Sequence, residues 1–371
     1  MSKEAGRTLG IAKARRLQRL LGPDNRFHMV ALDQRAILAQ MLAQLKQIEA
    51  AELPFSDMLA VKRLLVESLA QPASAMLYDP NIAVPAAIDI LPADTGLVVS
   101  LEHHVIEESS EGRKTRSIPD WSVEKIQHLG ADAVKLLVWY HPDASADVCC
   151  HQQDYIRSVG VECAARGMPL VLELLAYKPL GLQNKDPADP DSTTEFAAAE
   201  LTDIVIASVR EFSKPEYQVD LFKLESPVPP KIVSSTAVGA DSEIQQAFDA
   251  VGIACKEADI PWVLLSAGVT TEQFIRLLGF AYNAGANGYL AGRAIWKAPL
   301  GAFPDIDATR KALQSQGTDA LLKIIDFTQK QAQAVAINST AYTTSNSDSS
   351  GNSPKKLRVV SREGEFAQNY P

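Results

Sequence analysis

The sequence lacks several features that define common classes of protein. Its 371 residues include only four cysteines, none in a CxxC pair, and two of them, Cys149 and Cys150, are adjacent, a poor geometry for a disulfide. No apolar run reaches the ~18 residues of a membrane-spanning helix. Residues 1–27 are rich in basic side chains but contain no apolar core of a signal peptide. We therefore expect a reduced, soluble, cytoplasmic protein with no membrane partner.

Positive charge and aromatic residues are also scarce. Lys and Arg number 36 against 45 Asp and Glu, which gives a net charge of -9, and aromatic residues make up 6% of the chain. Nucleic-acid-binding proteins usually carry the opposite charge, so we expect no nucleic-acid partner. An anionic ligand would need a local basic pocket. The hydrophobic fraction of 46% excludes a disordered or collagen-like chain, and the length suits two ordinary domains or one large α/β barrel.

Eight short apolar runs indicate buried strands. Each is nearly continuously hydrophobic, as expected of a strand covered on both faces, and helical patterns lie between them. Eight strand–helix units favour a single (β/α)8 TIM barrel of the α/β class over an open sheet, and no GxGxxG follows the first run. The runs are Phe27–Asp33, Ala75–Asp79, Gly96–Glu102, Ala133–Val138, Pro169–Leu174, Val219–Glu225, Pro261–Ala267 and Asn287–Arg293.

The two ends of the chain differ from this repeating middle. We expect an N-terminal helical segment at 1–26, the barrel domain at 27–337 and a low-complexity, disordered tail at 338–371. The tail begins with a stretch rich in Ser, Thr and Asn that has no apolar period. Its basic-apolar piece KKLRVVSR (355–362) is either loose or docks on a neighbour or over the barrel mouth.

Two lysines and a glutamate lie in predicted strands, where a charged side chain is costly unless it is paired or used. Lys135, Glu173 and Lys223 belong to the fourth, fifth and sixth runs, whose carboxyl ends meet at the barrel mouth, where active sites lie. A lysine amine attacks a carbonyl only when deprotonated, which burial or a second cation favours. The set therefore indicates a Schiff-base site with Lys223 as nucleophile and Glu173 as proton shuttle. The alternative is a structural ion-pair network.

Glycine and arginine follow the last two runs. Ser266 and Gly268 end the seventh run, and Gly292 and Arg293 end the eighth. Barrels frequently bind phosphate in these two loops through exposed backbone N–H groups, and an arginine fork suits phosphate or sulfonate. The alternative is that the glycines serve tight turns and that Arg293 pairs with a surface acid.

The six histidines show no metal-binding motif such as HExxH. Glu102, His103 and His104 do end the third run, so a metal-dependent barrel enzyme stays an alternative, although the sequence offers no obvious third ligand. We expect no metal and no cofactor.

Five stretches, running in order between about residues 24 and 300, resemble one family. They are ALDQRAIL (31–38), GADAVKLLVWY (130–140), PLVLELLAY (169–177), DLFKLESPV (220–228) and PWVLLSAGVTTEQFIRLLGFAYNAGANGYLAGRAIW (261–296). These stretches resemble the tagatose-1,6-bisphosphate aldolases, which are class I, Schiff-base-forming (β/α)8 enzymes. The last stretch is about equally similar to the sulfofructose-phosphate aldolases.

The resemblance implies roles for individual residues. Lys223 would form the Schiff base and Glu173 would be the acid/base group, with Lys135 and Asp33 lining the same pocket. The residues that would hold a phosphate or contact the substrate are Gln34, Arg35, Ser266, Gly268 and Arg293.

Three departures from the family pattern lie in loops or at the terminus: Glu102–His104, an insertion at 178–195 and the tail. They leave the reaction better defined than the substrate. We predict an aldolase that cleaves a phosphorylated ketose, first of all tagatose 1,6-bisphosphate, to dihydroxyacetone phosphate and glyceraldehyde 3-phosphate. The alternatives are 6-deoxy-6-sulfofructose 1-phosphate or another ketose 1-phosphate as substrate, a metal-dependent sugar-phosphate epimerase, and a non-catalytic sugar-phosphate-binding module. A homo-oligomer is expected only by analogy.

Overall fold

Eight parallel strands close into a barrel at the eight predicted positions. Each strand pairs with its neighbour along the chain, and the last pairs with the first, so the predicted (β/α)8 fold is confirmed. A computed structural model describes residues 8–182, 196–229, 240–338 and 357–359. The barrel strands are β1 (Phe27–Leu32), β2 (Ala75–Tyr78), β3 (Gly96–Ser100), β4 (Ala133–Trp139), β5 (Leu170–Leu175), β6 (Leu221–Leu224), β7 (Trp262–Leu264) and β8 (Gly288–Ala291).

Helices surround the barrel, each with an apolar stripe toward the strands. In Thr271–Asn283, for example, Phe274, Leu277, Leu278 and Ala281 are buried, and Thr270 caps the first turn. The helices are α1 (Ile11–Arg19), α2 (Ala36–Lys46), α3 (Phe55–Leu69), α4 (Ala83–Ala87), α5 (Val123–His128), α6 (Ala146–Ala165), α7 (Ala198–Phe212), α8 (Ala240–Ala258), α9 (Thr271–Asn283), α10 (Arg293–Trp296), α11 (Ile306–Ala312) and α12 (Thr318–Gln331). Across the described ranges, none of these helices is long and apolar enough to cross a membrane.

The interior of the barrel is apolar and is closed at its amino-terminal end by α1. Leu17 and Leu20 pack against the small and branched side chains inside the barrel. The buried Lys13 pairs with Asp220 at 2.6 Å, which fixes α1 beneath β6. The opposite end of the barrel, where the strands end, carries polar residues. The interior side chains are Met29, Ala31, Ala75, Leu77, Val98, Ala133, Val171, Leu221, Val263 and Leu290.

Three short strands outside the barrel form a small parallel sheet beside α1. Thr8–Leu9 and Ile337–Asn338 each pair in parallel with Leu357–Val359, while Leu9, Val335 and Ile337 pack against the interior cluster. Three residues of the basic-apolar piece thus lie at the end of the barrel opposite its mouth. The rest of the predicted tail beyond 338, and residues 183–195 of the predicted insertion, lie outside the described residues.

Candidate active site

Strand alternation brings the predicted catalytic residues into one layer. Successive side chains of a strand point to opposite faces, so a residue two positions after an interior residue also points inward. Ala31, Ala133, Val171 and Leu221 lie in the barrel interior. The residues two positions further on are Asp33, Lys135, Glu173 and Lys223, which form a polar layer directly above the apolar interior.

The two lysines of this layer share one carboxylate oxygen. Nζ of Lys223 and Nζ of Lys135 each lie 2.8 Å from Oε2 of Glu173. Lys135 also contacts Oδ2 of Asp33 at 2.8 Å. All four side chains are nearly excluded from solvent, with side-chain exposures of 1% to 10%. A glutamate so placed can exchange a proton with either amine.

Glu102 is a further member of the layer and was missed as a site residue. Its Oε1 lies 2.6 Å from Nζ of Lys135, and its Oε2 accepts a hydrogen bond from the backbone of Leu137. The alternative metal site assigned Glu102 to its histidine neighbours. The sequence did contain a signal for this position. Side chains alternate along a strand, Val98 points into the barrel interior, and Glu102 lies four residues later and so points the same way.

The charges of this layer are strongly coupled. Burial disfavours the charge on Lys135, but the carboxylates of Asp33, Glu102 and Glu173 outweigh it and hold the pKa of Lys135 well above its ordinary value. Burial likewise opposes ionisation of Asp33, but Lys135 and Lys223 outweigh it and lower the pKa of Asp33. For Glu102 the burial dominates and its pKa is raised. Lys135 is therefore a permanent cation beside Lys223.

A further buried lysine supports the loop after β1. Lys62 of α3 is 0% exposed and donates hydrogen bonds to the carbonyls of Leu32 and Gln34, on either side of Asp33. Its counter-ion is Asp79, at 3.0 Å, which also accepts backbone hydrogen bonds at the start of α4. Burial lowers the pKa of Lys62 and outweighs the charge of Asp79, which acts to raise it. This lysine interrupts the apolar stripe of α3 and was missed.

Glu225 is a second acid near the nucleophile. It lies two residues after Lys223, and its carboxylate accepts a hydrogen bond from the backbone N–H of Ala176. Burial, with a smaller contribution from the charge of Glu173, outweighs the hydrogen bond from Ala176 and raises the pKa of Glu225 to about 8. At neutral pH Glu225 is therefore mostly protonated.

The loops after β7 and β8 form a cationic pocket. Ala267 and Gly268 have φ values of 47° and 86°, a left-handed turn that favours glycine. A Cβ on Gly268 would lie 3.1 Å from the guanidinium of Arg293, and a Cβ on Gly292 would lie 2.5 Å from the carbonyl oxygen of Ala31. Both glycines therefore permit close packing. Gly268 and Arg293 line a cavity of about 600 Å³.

Arg293 lines this pocket together with Lys297, Lys323, Glu272 and Asp319. Among the residues that the structure describes, it has no hydrogen-bond or ion-pair partner. Burial lowers the pKa of Arg293, while the charges of Asp33 and Glu173 in the catalytic layer oppose that effect. Ser266, 5% exposed, lies two residues after the end of β7. The predicted surface-acid partner of Arg293 is absent from the described ranges, and the pocket can accept an anion.

The comparison with known proteins follows this geometry. The sequence profile of the DeoC/LacD family of aldolases matches residues 27–298. The chain belongs to this family. It is therefore an aldolase, a carbon–carbon lyase acting on a small molecule, as the sequence predicted.

Two relatives of this aldolase are 33% identical to it over most of its length. The tagatose 1,6-diphosphate aldolase of Lactococcus lactis subsp. lactis is 33% identical over 290 residues, 76% of this chain and 84% of that enzyme. The enzyme of the same name from Staphylococcus aureus (strain bovine RF122 / ET3-1) is 33% identical over 311 residues, 81% of this chain and 90% of that one. Each match spans three quarters or more of this chain.

A solved structure supports the fold of the aldolase. The fructose-bisphosphate aldolase of Plasmodium falciparum, in a ternary co-crystal with TRAP and a small-molecule inhibitor, superposes with a TM-score of 0.61. The aligned region covers 90% of this chain and 99% of that chain, with 12% sequence identity. Such a low identity bears on the fold alone.

Gln34 and Arg35 of the aldolase point to different sides of the mouth. The amide of Gln34 lies over Gly292, because a Cβ there would be 3.1 Å from its Nε2. Its buried Oε1 has no hydrogen-bond partner among the described residues. Arg35 instead donates to the carbonyl oxygen of Glu102 at 2.8 Å. Gln34 is thus available to a ligand on the Arg293 side.

The adjacent histidines His103 and His104 of the aldolase do not converge on acids. His103 and His104 stack on each other with ring centroids 4.7 Å apart. Within the described ranges, no three His, Cys, Asp or Glu side chains are arranged to hold a metal ion. Glu102, the acid next to them in sequence, is turned toward Lys135 instead.

Proposed function

We propose that the protein is a class I aldolase that forms a Schiff base between Lys223 and a phosphorylated ketose. The observation that carries this proposal is the 2.8 Å contact between Nζ of Lys223 and Oε2 of Glu173 in a buried layer at the barrel mouth. Tagatose 1,6-bisphosphate is the first substrate to test, because the two relatives above are named for the diphosphate of that sugar.

The first half of the reaction forms the iminium. The amine of Lys223 attacks the C2 carbonyl carbon of the ketose, and Glu173 takes a proton from the attacking nitrogen. Proton return to the former carbonyl oxygen, with one further proton, lets that oxygen leave as water. The product is a positively charged C=N bond, which can accept an electron pair.

The second half breaks the carbon–carbon bond. The carboxylate of Glu173 takes the proton of the C4 hydroxyl, C4 becomes an aldehyde, and the C3–C4 electrons move into the iminium to give a neutral enamine. Glyceraldehyde 3-phosphate leaves. A proton from Glu173 to C3 then restores the iminium, and water hydrolyses it to dihydroxyacetone phosphate and free Lys223.

Lys135 and Asp33 serve this sequence through charge and position. The permanent charge of Lys135, 2.8 Å from Glu173, stabilises the ionised form of that acid whenever Lys223 is neutral. Asp33 and Glu102 balance the charge of Lys135, so the layer does not accumulate two unpaired cations beside an iminium. Asp33 also lies at the end of β1, where it faces the substrate.

The pocket after β7 and β8 would hold the C1 phosphate. Arg293 supplies a fork of donors without a competing acid, and Ser266 and the turn at Gly268 add a hydroxyl and backbone N–H groups. Gly292 keeps the backbone close, and Gln34 offers its amide from the same side. β7, which precedes this pocket, pairs with β6, and Val263 lies opposite Lys223, so we expect a C1 phosphate here to bring C2 toward Lys223.

Borohydride trapping tests the chemistry. The protein is incubated with dihydroxyacetone phosphate and sodium borohydride, and the modified peptide is located by mass spectrometry. We expect a reduced adduct on Lys223. Lys223→Met should give none, while the matched control Lys256→Met, an exposed lysine of α8, should react like the wild type. A folded wild-type protein without any adduct would contradict the proposal and favour the metal-dependent or non-catalytic alternatives.

A substrate panel tests specificity. Turnover of tagatose 1,6-bisphosphate, fructose 1,6-bisphosphate and 6-deoxy-6-sulfofructose 1-phosphate is compared at equal concentration. A preference of at least tenfold for one ketose would define the substrate, and equal rates would contradict narrow specificity. The cytoplasmic location, the homo-oligomer and the absence of a nucleic-acid or membrane partner stay predictions from the sequence.

A further inference from the structure

Glu225 is an acid next to the nucleophile with no role in the steps that Glu173 performs. Along β6, Leu221 lies in the barrel interior, whereas Phe222 and Leu224 pack outside it with side chains of the helices. Side chains alternate along a strand, so Lys223 faces the barrel axis, and Glu225, two residues further on, faces it too. The rise along an extended chain places Glu225 ~7 Å nearer the mouth than Lys223.

The two oxygens of the Glu225 carboxyl have different surroundings. Oε1 accepts a hydrogen bond from the backbone N–H of Ala176. Oε2 has no hydrogen-bond partner among the described residues, and it is not shielded from solvent. Because an N–H prefers the carbonyl oxygen of a neutral acid as its acceptor, the proton of that acid belongs on Oε2. A neutral Glu225 therefore presents an O–H donor to the mouth.

The groups around Glu225 keep it neutral at pH 7. Burial and, to a smaller extent, the charge of Glu173 on β5 raise the pKa of Glu225 to about 8. The cations of the adjoining described elements have other partners: Lys223 contacts Glu173 at 2.8 Å, and Lys178, after β5, pairs with Glu200 of α7 at 2.9 Å. On the other side, β7 contains no ionisable side chain. Glu225 thus holds a proton without a competing cation among the described residues.

Formation of the iminium requires two protons at the former carbonyl oxygen. Glu173 supplies the first, because it takes a proton from the nitrogen of Lys223 and returns it to that oxygen. The result is a neutral carbinolamine and a Glu173 carboxylate. The carbinolamine hydroxyl leaves as water, which takes a second proton. An acid that is protonated at neutral pH and has a free oxygen is suited to supply it.

The other groups of the catalytic layer are poor donors for this second proton. The carboxylates around Lys135 hold its pKa well above the ordinary value against the effect of burial, so it keeps its proton. Burial opposes ionisation of Asp33, but the two lysines of the layer outweigh it and lower the pKa of Asp33. Both oxygens of Glu102 are occupied, one by Lys135 at 2.6 Å and the other by a backbone N–H. Among the acids that the structure describes here, Glu225 combines a proton with an unoccupied oxygen.

We propose that Glu225 is a second catalytic acid of the aldolase, which protonates the departing hydroxyl of the carbinolamine on Lys223. The proton of Glu225 joins the hydroxyl, the C2–O bond breaks to release water, and the nitrogen lone pair forms the C=N bond. A neutral carbinolamine and a neutral acid thus become an iminium cation, water and a carboxylate. In the hydrolysis that ends the cycle, this carboxylate takes a proton from the attacking water. The inference rests on the proposed aldolase function and adds the donor for one of its steps.

Oxygen exchange measures this step without carbon–carbon cleavage. Dihydroxyacetone phosphate labelled with heavy oxygen at C2 is incubated with the enzyme in ordinary water, and loss of the label is followed by mass spectrometry. Each round of iminium formation and hydrolysis replaces the C2 oxygen. General acid catalysis contributes a factor of about 100 or more, so we expect Glu225→Gln to lower the maximal exchange rate about 100-fold with little change in KM. Glutamine keeps an oxygen for the N–H of Ala176.

Two control variants define the limits of this measurement. Glu257→Gln, which replaces an exposed acid of α8, should exchange at the wild-type rate. Lys223→Met cannot form the iminium, so it gives the background of spontaneous exchange. Thermal melting of each variant confirms that it is folded.

The pH dependence separates a proton donor from a structural acid. In the wild type the maximal exchange rate should fall above about pH 8, where Glu225 loses its proton. Glutamine does not titrate, so the residual rate of Glu225→Gln should show no break near this pH. Glu225→Asp keeps an ionisable group and should keep a break in its profile at a lower rate.

The outcomes separate this inference from the aldolase function. A folded Glu225→Gln variant that exchanges at the wild-type maximal rate, or whose only change is a higher KM, would overturn the role of Glu225 and leave the Schiff base intact. A profile of Glu225→Asp without a break would do the same. A wild type that exchanges no faster than Lys223→Met and gives no borohydride adduct would overturn the proposed function, and the role of Glu225 with it.

Discussion

Replacing Glu225 with glutamine should change the pH dependence of stability. In the folded protein, burial raises the pKa of this carboxyl to about 8 from an ordinary value of 4.5. Between these two values the unfolded chain releases the proton while the folded chain keeps it. Stability therefore falls as the pH rises through this window and the penalty is complete above about pH 8. Glutamine stays neutral and keeps an oxygen for the N–H of Ala176, so the variant avoids this penalty.

The magnitude follows from the width of the window. Each unit of pKa difference corresponds to ~1.4 kcal/mol, so the wild type should lose ~3 kcal/mol relative to Glu225→Gln between pH 5 and pH 7.5. For a domain of this size that difference is about 5 °C in Tm. The two proteins should melt at similar temperatures at pH 5, and the variant should melt higher at pH 7.5.

Thermal melting followed by circular dichroism at pH 5, 6, 7 and 8 measures this difference. Glu257→Gln, on the exposed face of α8, controls for the loss of one acidic residue. A difference in Tm that does not change with pH would refute the reasoning. A variant that is less stable than the wild type at pH 7.5 would show that Glu225 is ionised in the fold and pairs with a cation.

Three further predictions concern the supports of the site. Lys135→Met removes the cation that neutralises three carboxylates. We expect the free energy of unfolding, measured with urea, to fall by ~3–5 kcal/mol and kcat, from steady-state kinetics, to fall more than 100-fold. An unchanged kcat would refute this role of Lys135. Lys62→Met leaves the buried carboxylate of Asp79 without its counter-ion and removes two hydrogen bonds from the loop around Asp33. The free energy of unfolding should therefore fall by ~3 kcal/mol, and KM should rise. An unchanged KM would show that Lys62 does not support the site. Gly268→Ala places a Cβ 3.1 Å from the guanidinium of Arg293, at a backbone φ of 86°. KM should therefore rise about tenfold, with a smaller change in kcat. An unchanged KM would contradict the assignment of this pocket to a phosphate.

Much of this arrangement follows from local pattern. Continuous apolar runs predict strands that are covered on both faces, and their number predicts the closed barrel. The period of two along a strand then relates Lys223 to Leu221 and Glu173 to Val171, so that both polar side chains face inward above an apolar layer. Neighbouring parallel strands in register bring these two residues side by side, as the pairing of Glu173 with Lys223 records.

Contacts between distant segments were beyond this kind of pattern. Lys62 lies in the apolar stripe of a helix, and its partners are two backbone carbonyls about 30 residues away, which become acceptors only when α3 packs against the loop after β1. Glu102 follows its strand at the right spacing, but the sequence leaves it equally available to His103 and to Lys135. Packing of the loop after β3 directs the side chain of Glu102 toward Lys135.

Position along the chain thus decided which residues reach the barrel mouth, because strand geometry is local and repeats. Tertiary structure decided how charge is distributed among them, because the pKa of a buried group depends on every charge within a few ångströms, whatever its place in the sequence. Gln34 and Arg35 illustrate the difference. They are adjacent in the chain, yet Gln34 lies over Gly292 while Arg35 donates to the carbonyl oxygen of Glu102, since the backbone turns into α2 at Arg35.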